Sequence, residues 1–346
     1  MSNKVTLQDI AEALGVSRNT VSKAMNNTGS VSDATKNRIF QKAAEMGYKQ
    51  FGLNNPKQDT VETSESKQIA LFANSLMNTS HFGSKVIDAF QERISSAGYT
   101  LSIFLIRDSE ISNLVLPAGF DRTPIDGIIC LELFSETYSR FLCSKQIPLL
   151  FVDTVVNRHD LDLPSDLIYM ENKVSTYNML KSLITGGVSK IGFVGDFNHC
   201  NSFFERWESF LTVLKDFNLA FEKDSCILDT DSPLYGNSEW LCQKVKEMKE
   251  IPQAFFCAND FIAINLMRAL KQAGYSVPED VKVCGFDNSP ESTRVEPSLT
   301  TVNIPSLDMG CIAADILVSR IRNPSLPFRT TYVKTEVIER NSTGSR

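Results

Sequence analysis

Between Ser17 and Lys23 the chain reads Ser-Arg-Asn-Thr-Val-Ser-Lys, a run rich in side chains that contact a duplex. Arginine can bond a guanine edge, asparagine an adenine edge, and lysine a phosphate. Arg18, Asn19, Ser22 and Lys23 lie away from the apolar side of a short helix, as a reading face would. A small bundle with a solvated polar face has the same periodicity, so charge is the further guide. Residues 1–50 hold seven Lys/Arg against four Asp/Glu, and the remaining chain carries 28 against 37. A basic head on an acidic body fits local phosphate contact rather than nonspecific coating of DNA.

A second group of polar residues stands where apolar runs end. Asp153 closes IPLLFV, Asp196 closes KIGFVG, Asn259 and Asp260 close QAFFCA, and Asp287 and Asn288 close VKVCGF; Arg206 opens the helical pattern after Asp196. Carboxylate, guanidinium and amide groups converging on one crevice suit a polyol, whose vicinal hydroxyls both donate and accept. Phe82, Phe203, Phe204, Trp207 and Phe261 supply aromatic faces that could cover the apolar side of a sugar. Singly, each has a plainer reading: an Asp at a strand end is often a cap or turn former, and Trp207 fits a core. The shared placement carries the inference.

The elements that must position these groups follow from spacing. Leu7, Ile10, Ala11 and Leu14 form the stripe of one helix, with Thr6 as its N-cap and Gly15 as its stop. Ser17 caps a second helix that points Val21 and Met25 inward, with Val16 at its entrance. Ser32 caps a third helix with Ile39, Ala43 and Met46 inside and Gly47 at its end. Two helices joined by a tight glycine turn form a helix-turn-helix. NNPKQDTVETSESKQ, residues 54–68, is polar and reads as a flexible linker. Beyond it QIALFA, TLSIFLI, DGIICLEL, IPLLFVD, KIGFVGD, QAFFCAND and VKVCGFDN read as strands. Helical patterns occur near Val86–Ala97, Val174–Ile184, Arg206–Phe217, Ser238–Met248 and Phe261–Ala273. Continuous apolar strands alternating with amphipathic helices predict parallel sheets covered on both faces, in two doubly wound lobes. Open sheets of this kind present ligand crevices at the carboxyl ends of their strands.

At 346 residues and 42% hydrophobic content the chain can bury two or three cores. No apolar run approaches the roughly 18–20 residues of a membrane span, and MSNKVTLQDI has no signal-peptide stretch, so a cytoplasmic chain is expected. The eight cysteines are scattered without a CxxC pair and read as buried free thiols; the three histidines are isolated. Neither a metal site nor a cofactor is expected. No GxGxxG opens a helix after a strand, and no phosphate loop or GxSxG elbow occurs, which argues against an enzyme and leaves no catalytic residue to name.

The run TLQDIAEALGVSRNTVSKAMNN resembles the headpiece of the lactose-repressor (LacI-type) family of bacterial transcription regulators, through the core D-I-A-x-x-x-G-V-S-x-x-T-V-S. The resemblance implies that Arg18 and Asn19 read base edges, with Thr6, Ser17, Thr20, Ser22, Lys23 and Asn26 supporting base or backbone contacts. Lys23 stands where arginine is usual, which replaces a planar fork by a point charge. ERWESFLTVLKDFNL, AFFCANDFIAINLMRALKQAGYSVPEDVKVCGFDNSP, PSLTTVNIP and EVIERNST resemble the family's effector domain, with its periplasmic-binding-protein-like fold. By that likeness Arg206, Asn259 and Asp287 hydrogen-bond an effector, Asp153 faces them, Asn78 and Phe82 line the mouth, and Trp207 belongs to the pocket floor. The implied organisation is a DNA-binding domain at 1–50, a linker at 51–68 and an effector-binding and dimerisation domain at 69–346. Its first lobe spans about 69–162 and 296–322, its second about 163–295 and 323–346, with crossings near 162–166, 291–296 and 321–325. The family's hinge-helix pattern is missing from YKQFGLNNP, where Gly52 and Pro56 oppose a helix and Leu53 is the one aliphatic candidate for a minor-groove wedge; an ordinary linker is favoured there.

The implied protein is a homodimeric repressor on a pseudo-palindromic double-stranded operator, controlled by a small effector, with a carbohydrate favoured. A nucleobase or a protein corepressor stands as the alternative. A sugar-binding carrier is a remote one, since it would need an export signal and no DNA head.

Overall fold

The computed structural model describes residues 5–25, 31–46, 67–74, 81–122, 124–157, 162–230 and 233–344. The chain divides into two compact units, Met1–Ser64 and Glu65–Arg346.

The first unit contains α1 (Leu7–Leu14), α2 (Arg18–Met25) and α3 (Asp33–Glu45). Each start is stabilised by a hydroxyl that satisfies an otherwise unpaired amide of the first turn. Thr6 Oγ1 accepts from Asp9 N–H at 3.3 Å while Asp9 accepts in return from Thr6 N–H at 2.7 Å, a closed capping box. Ser17 Oγ accepts from Thr20 N–H at 3.0 Å, and Ser32 Oγ from Thr35 N–H at 3.4 Å. Gly15 ends α1 with φ 63°, a left-handed conformation that strains residues bearing a Cβ. Ile10, Ala11, Val21, Ala24, Ile39 and Ala43 form the core. Ala24, beside Val21, was not foreseen in that role; nothing is described for the Met25 side chain. Met46 packs on the core from its edge.

The second unit follows in chain order as β1 (Lys67–Ala73), α4 (His81–Ser96), β2 (Tyr99–Leu105), α5 (Asp108–Asn113), β3 (Gly127–Leu131), α6 (Glu136–Cys143), β4 (Leu149–Val152) and β5 (Asp166–Met170). Next come α7 (Lys173–Thr185), β6 (Ile191–Val194), α8 (Asn201–Asp216), α9 (Ser238–Glu247), β7 (Ala254–Cys257), α10 (Asp260–Gln272) and β8 (Lys282–Cys284). The chain closes with β9 (Thr301–Asn303), α11 (Ser306–Arg322), β10 (Thr330–Val333) and β11 (Glu336–Ile338). All seven apolar runs form strands. Six strands make a parallel sheet in the order β10-β5-β4-β3-β1-β2, the frame of the first lobe. The second lobe is built on parallel β6-β7-β8; parallel bridges continue it to β9, and β11 pairs antiparallel with β9.

Sheet membership moves the lobe boundaries from those expected. β5 and β10 both belong to the six-stranded sheet, whereas β9 joins the second lobe. The crossings therefore fall at 171–172, 304–305 and 334–335, each about five to fourteen residues later than the sequence suggested. The body also starts earlier than residue 69, because β1 begins at Lys67. The reason lies in β5 and β10, short strands whose pairing partners are distant in sequence. Their junction is secured by a buried ion pair, Arg320 Nε to Asp166 Oδ2 at 2.8 Å, and Arg329 N–H donates to Asp166 Oδ1 at 2.9 Å. α11, not foreseen as a helix, packs closely on α4: a Cβ on Gly310 would strike the backbone of Val86. The linker region and the Leu53 question lie outside the described residues.

Candidate functional site

On α2 the sequence-predicted reading residues divide by environment. Arg18, Asn19 and Lys23 are exposed, and none makes a hydrogen bond or ion pair among the described residues. Ser17 and Thr20 are joined to each other, Oγ to Oγ1 at 2.8 Å, and Thr6 is engaged in the α1 cap. Ser22 is half-buried and partnered. Asn26 lies outside the described residues.

In the body, the polar residues at strand ends converge between the lobes. Asp153 follows β4 with φ 58° and is buried; its Oδ1 accepts from Thr154 N–H at 2.8 Å and from Ser202 N–H at 3.3 Å. Ser202 sits in the first turn of α8, so this first-lobe carboxylate reaches across to a second-lobe helix start, where the helix dipole favours negative charge. Two further bonds cross nearby: Asn201 N–H to the Thr154 carbonyl at 2.8 Å, and Asn157 N–H to Asn201 Oδ1 at 3.0 Å.

Arg206, one turn into α8, is 2% exposed and held from several sides. Its Nε donates to Asn172 Oδ1 at 3.0 Å and its Nη1 to the Ala258 carbonyl at 2.6 Å. The guanidinium lies 3.7 Å from the centre of the Phe286 ring, and Asp287 Oδ1 is 3.7 Å from Nη1. A fork so fixed needs little reordering when it meets a ligand. Asp287 adopts φ 120° after β8. Burial pushes its carboxyl well above the usual range, opposed by the nearby Arg206 charge. Burial likewise raises Asp153, with the Ser202 and Thr154 hydrogen bonds and Arg206 opposing. Asp260, at the start of α10, is also raised by burial although Thr301 Oγ1 and Ser289 N–H donate to it.

A cavity of about 320 Å³ opens beside this array. Phe82 and Lys85 of α4 line it from the first lobe; Asn259, Phe261 and Arg268 of or beside α10, together with Asp287, line it from the second. Asn259 uses its Oδ1 to cap α10, accepting from Ile262 N–H at 3.0 Å. Asp196 accepts from Asn198 N–H at 2.8 Å, the turn-forming role that was its plainer reading. Trp207 requires a correction. It points into the second-lobe core, stacked on Phe197 at 4.9 Å and packed on Phe210 and Phe193, and it does not line the cavity. Consecutive helix positions lie about 100° apart, so Arg206 and Trp207 cannot serve the same face. Asn78 lies outside the described residues.

The profile of bacterial regulatory proteins of the lacI family matches residues 6–50, and that of the periplasmic-binding-protein-like domain matches residues 180–343. The repressor PurR of Photobacterium profundum is 26% identical over 350 residues, covering 97% of this chain and 98% of its own.

The chain belongs to the LacI family of transcription regulators.

This LacI-type repressor shares its fold with a transcriptional regulator CelR–cellobiose complex, at TM-score 0.70 and 22% identity over 98% of this chain and all of the other. It also matches a lac repressor dimer bound to operator and an anti-inducer, at TM-score 0.68 and 22% identity over 99% of this chain and all of the other. Family members are regulators, not enzymes. No helix among the described residues is long and apolar enough to cross a membrane.

The repressor's cleft also has a supporting layer that sequence reasoning missed. Asn172, at the first crossing, donates to Glu205 Oε2 at 2.8 Å while holding Arg206. Glu205 Oε1 accepts from the Tyr332 hydroxyl of β10 at 2.6 Å, and burial raises its carboxyl. Tyr332 stacks on Tyr169, whose hydroxyl meets Thr154 Oγ1 at 2.7 Å, beside Asp153. The chain of contacts thus runs from Arg206 through the crossings to the opposite lobe. Tyr332 lies 126 residues from Arg206, and no spacing rule could have joined them.

Proposed function

We propose that the repressor acts as a homodimer on a pseudo-palindromic operator, and that a small carbohydrate held between the two lobes alters its affinity for that operator. Arg18 and Asn19 read base edges and Lys23 neutralises a phosphate. Twofold symmetry of paired headpieces accounts for half-sites, because one recognition helix contacts too few base pairs to specify a site alone. Arg206 and Asp287 from the second lobe and Asp153 from the first hydrogen-bond the effector, with Asn259 beside them and Phe82 against its apolar face.

The observation that carries this reading is the cavity between two lobes joined by three crossings, lined by Phe82 from the first and by Asn259 and Asp287 from the second, with the buried Arg206 guanidinium 3.7 Å from Asp287 Oδ1. A fixed cation and carboxylate together can bond hydroxyls that both donate and accept. About 320 Å³ is at the lower end of the ~300–1,000 Å³ of ligand pockets, which favours a small sugar. Similarity in fold to a regulator solved with cellobiose supports the same ligand class. The effector shifts operator affinity to the extent that it binds two lobe arrangements unequally, and the effect is reciprocal.

Calorimetry against a panel of sugars, sugar phosphates and nucleobases, followed by operator gel shifts with each binder, tests the reading. A sugar that binds the wild type, fails to bind Arg206→Ala and changes the gel shift is the expected result. A nucleobase that does all three replaces the carbohydrate, and a chain with no sequence preference for any duplex overturns the whole reading.

A further inference from the structure

We propose that the cavity contains an anion subsite, in which Lys85 of the first lobe and Arg268 of the second clamp a carboxylate or phosphate carried by the effector. This rests on the carbohydrate reading above and narrows it from a sugar to an acidic sugar derivative.

Both cations line the same cavity as Asp287 and Asn259, and they come from opposite lobes, on α4 and α10. Among the described residues neither is paired with a carboxylate. Lys85 makes no hydrogen bond or ion pair among the described residues, and Arg268 makes only a long one, Nη1 to Asn265 Oδ1 at 3.4 Å. Some cations of this unit are paired, as Arg93 is with Asp315 and Lys244 with Asp229, and others are not; what sets Lys85 and Arg268 apart is that both line one cavity from opposite lobes. Among the described residues no carboxylate on the cavity wall is paired with either cation. Asp260 is fully buried and accepts from Thr301 and Ser289, Asp287 faces Arg206, and Glu291 has a partner of its own.

The cavity therefore has two chemically distinct ends. Asp287 and Asn259 offer a carboxylate and an amide to hydroxyls, Phe82 and Phe261 offer ring faces, and Lys85 and Arg268 offer positive charge. A carboxylate or phosphate suits that last end, since guanidinium and ammonium form charge-assisted bonds with both. Because the cations belong to different lobes, an anion that meets both favours the arrangement in which the lobes are close, which gives it the unequal binding that control requires.

The test is calorimetry on the full-length protein with matched sets: glucose, galactose and mannose, each with its 6-phosphate and its uronate. One anionic form is expected to bind about tenfold or more tighter than its neutral parent at low salt. That gap is expected to narrow as sodium chloride is raised, since exposed charges are screened. The phosphate and uronate arms distinguish the two sources of anion. Lys85→Gln and Arg268→Gln, at exposed positions, are expected to keep the wild-type melting temperature and each to collapse the anionic-to-neutral affinity ratio. A neutral sugar that binds as tightly as its acids, or a ratio that survives both substitutions, overturns the subsite and leaves the carbohydrate reading standing. If no member of any set binds, the carbohydrate reading falls and the subsite with it.

Discussion

Helix α2 and the Arg206 region deploy polar residues in opposite ways. On α2, Arg18, Asn19 and Lys23 stand exposed with no side-chain partner among the described residues, which leaves their donors open to the duplex contacts proposed above. The Arg206 guanidinium, 2% exposed, is instead fixed within the protein, Nε donating to Asn172 and Nη1 to the Ala258 carbonyl. The first arrangement leaves free rotamers that recognition must order on contact; the second is ordered in advance by folding. The difference leads us to expect that substitutions of the exposed Arg18, Asn19 and Lys23 act on binding alone, whereas substitutions around Arg206 disturb stability and binding together.

The sharpest way to break that comparison is at neighbouring positions of α8. Arg206→Ala leaves Asp287 and Asp153 buried without their counter-charge, and loss of one member of a buried pair typically costs ~3–5 kcal/mol. Trp207→Ala opens a void among Phe193, Phe197 and Phe210, also ~3–5 kcal/mol by the record of large-to-small core substitutions. Denaturant unfolding reads both. Only the first is expected to abolish effector binding in protein that remains folded, and equal loss from both would return Trp207 to the pocket. On α2, Arg18→Ala is expected to leave the melting temperature unchanged and to weaken the operator relative to random duplex by ~1–3 kcal/mol, the worth of one bidentate base contact. Persistence of that preference in a gel shift would remove Arg18 from the reading face.

Smaller effects sharpen the comparison. Asp287 has its carboxyl raised by burial, so the folded chain holds this proton over a range where the unfolded chain has released it. Stability contributed by this group is therefore lost as pH rises from the usual carboxylate range toward the raised value. Its slope is at most about 1.4 kcal/mol per pH unit for one proton. Asp287→Asn, which carries no ionisable proton, is expected to flatten that part of the curve of unfolding free energy against pH. An unchanged slope would show that the carboxylate does not titrate there. The smallest effect is at Thr6, which the family likeness places among DNA contacts and the structure places in a capping box. Thr6→Ala is expected to destabilise the first unit by ~1 kcal/mol, seen in its thermal melt, with an operator loss no larger than that. A greater loss would show that Thr6 also touches the duplex.

Local features of this protein were readable from residue types. The caps at Thr6, Ser17 and Ser32, the stop at Gly15 and the seven apolar strands all depend on neighbours within a few positions, where backbone sterics and helical or strand periods act. Of the residues expected at the cleft, Asn259 and Asp287 line the cavity, while Asp153 and Arg206 are not among its lining residues; strand ends share one edge of a parallel sheet, which made that edge legible but not which side chains open into the cavity. Trp207 was misplaced because adjacency in sequence is not adjacency on a helix face. Lys85 and Arg268 gave no sequence signal, since unpaired lysines and arginines are what an ordinary exposed surface contains.

Composition and periodicity were enough to establish a helix-turn-helix head and an α/β body, since hydrogen-bond geometry and apolar patterning operate over short range. Pairing of β5 with β10, the positions of the three crossings, the bond from Glu205 to Tyr332 and the meeting of two cations at one cavity emerged with the folded chain alone. Each joins residues from separate elements, and such contacts depend on how sheets and helices pack in three dimensions, about which a linear order of side chains carries no distance.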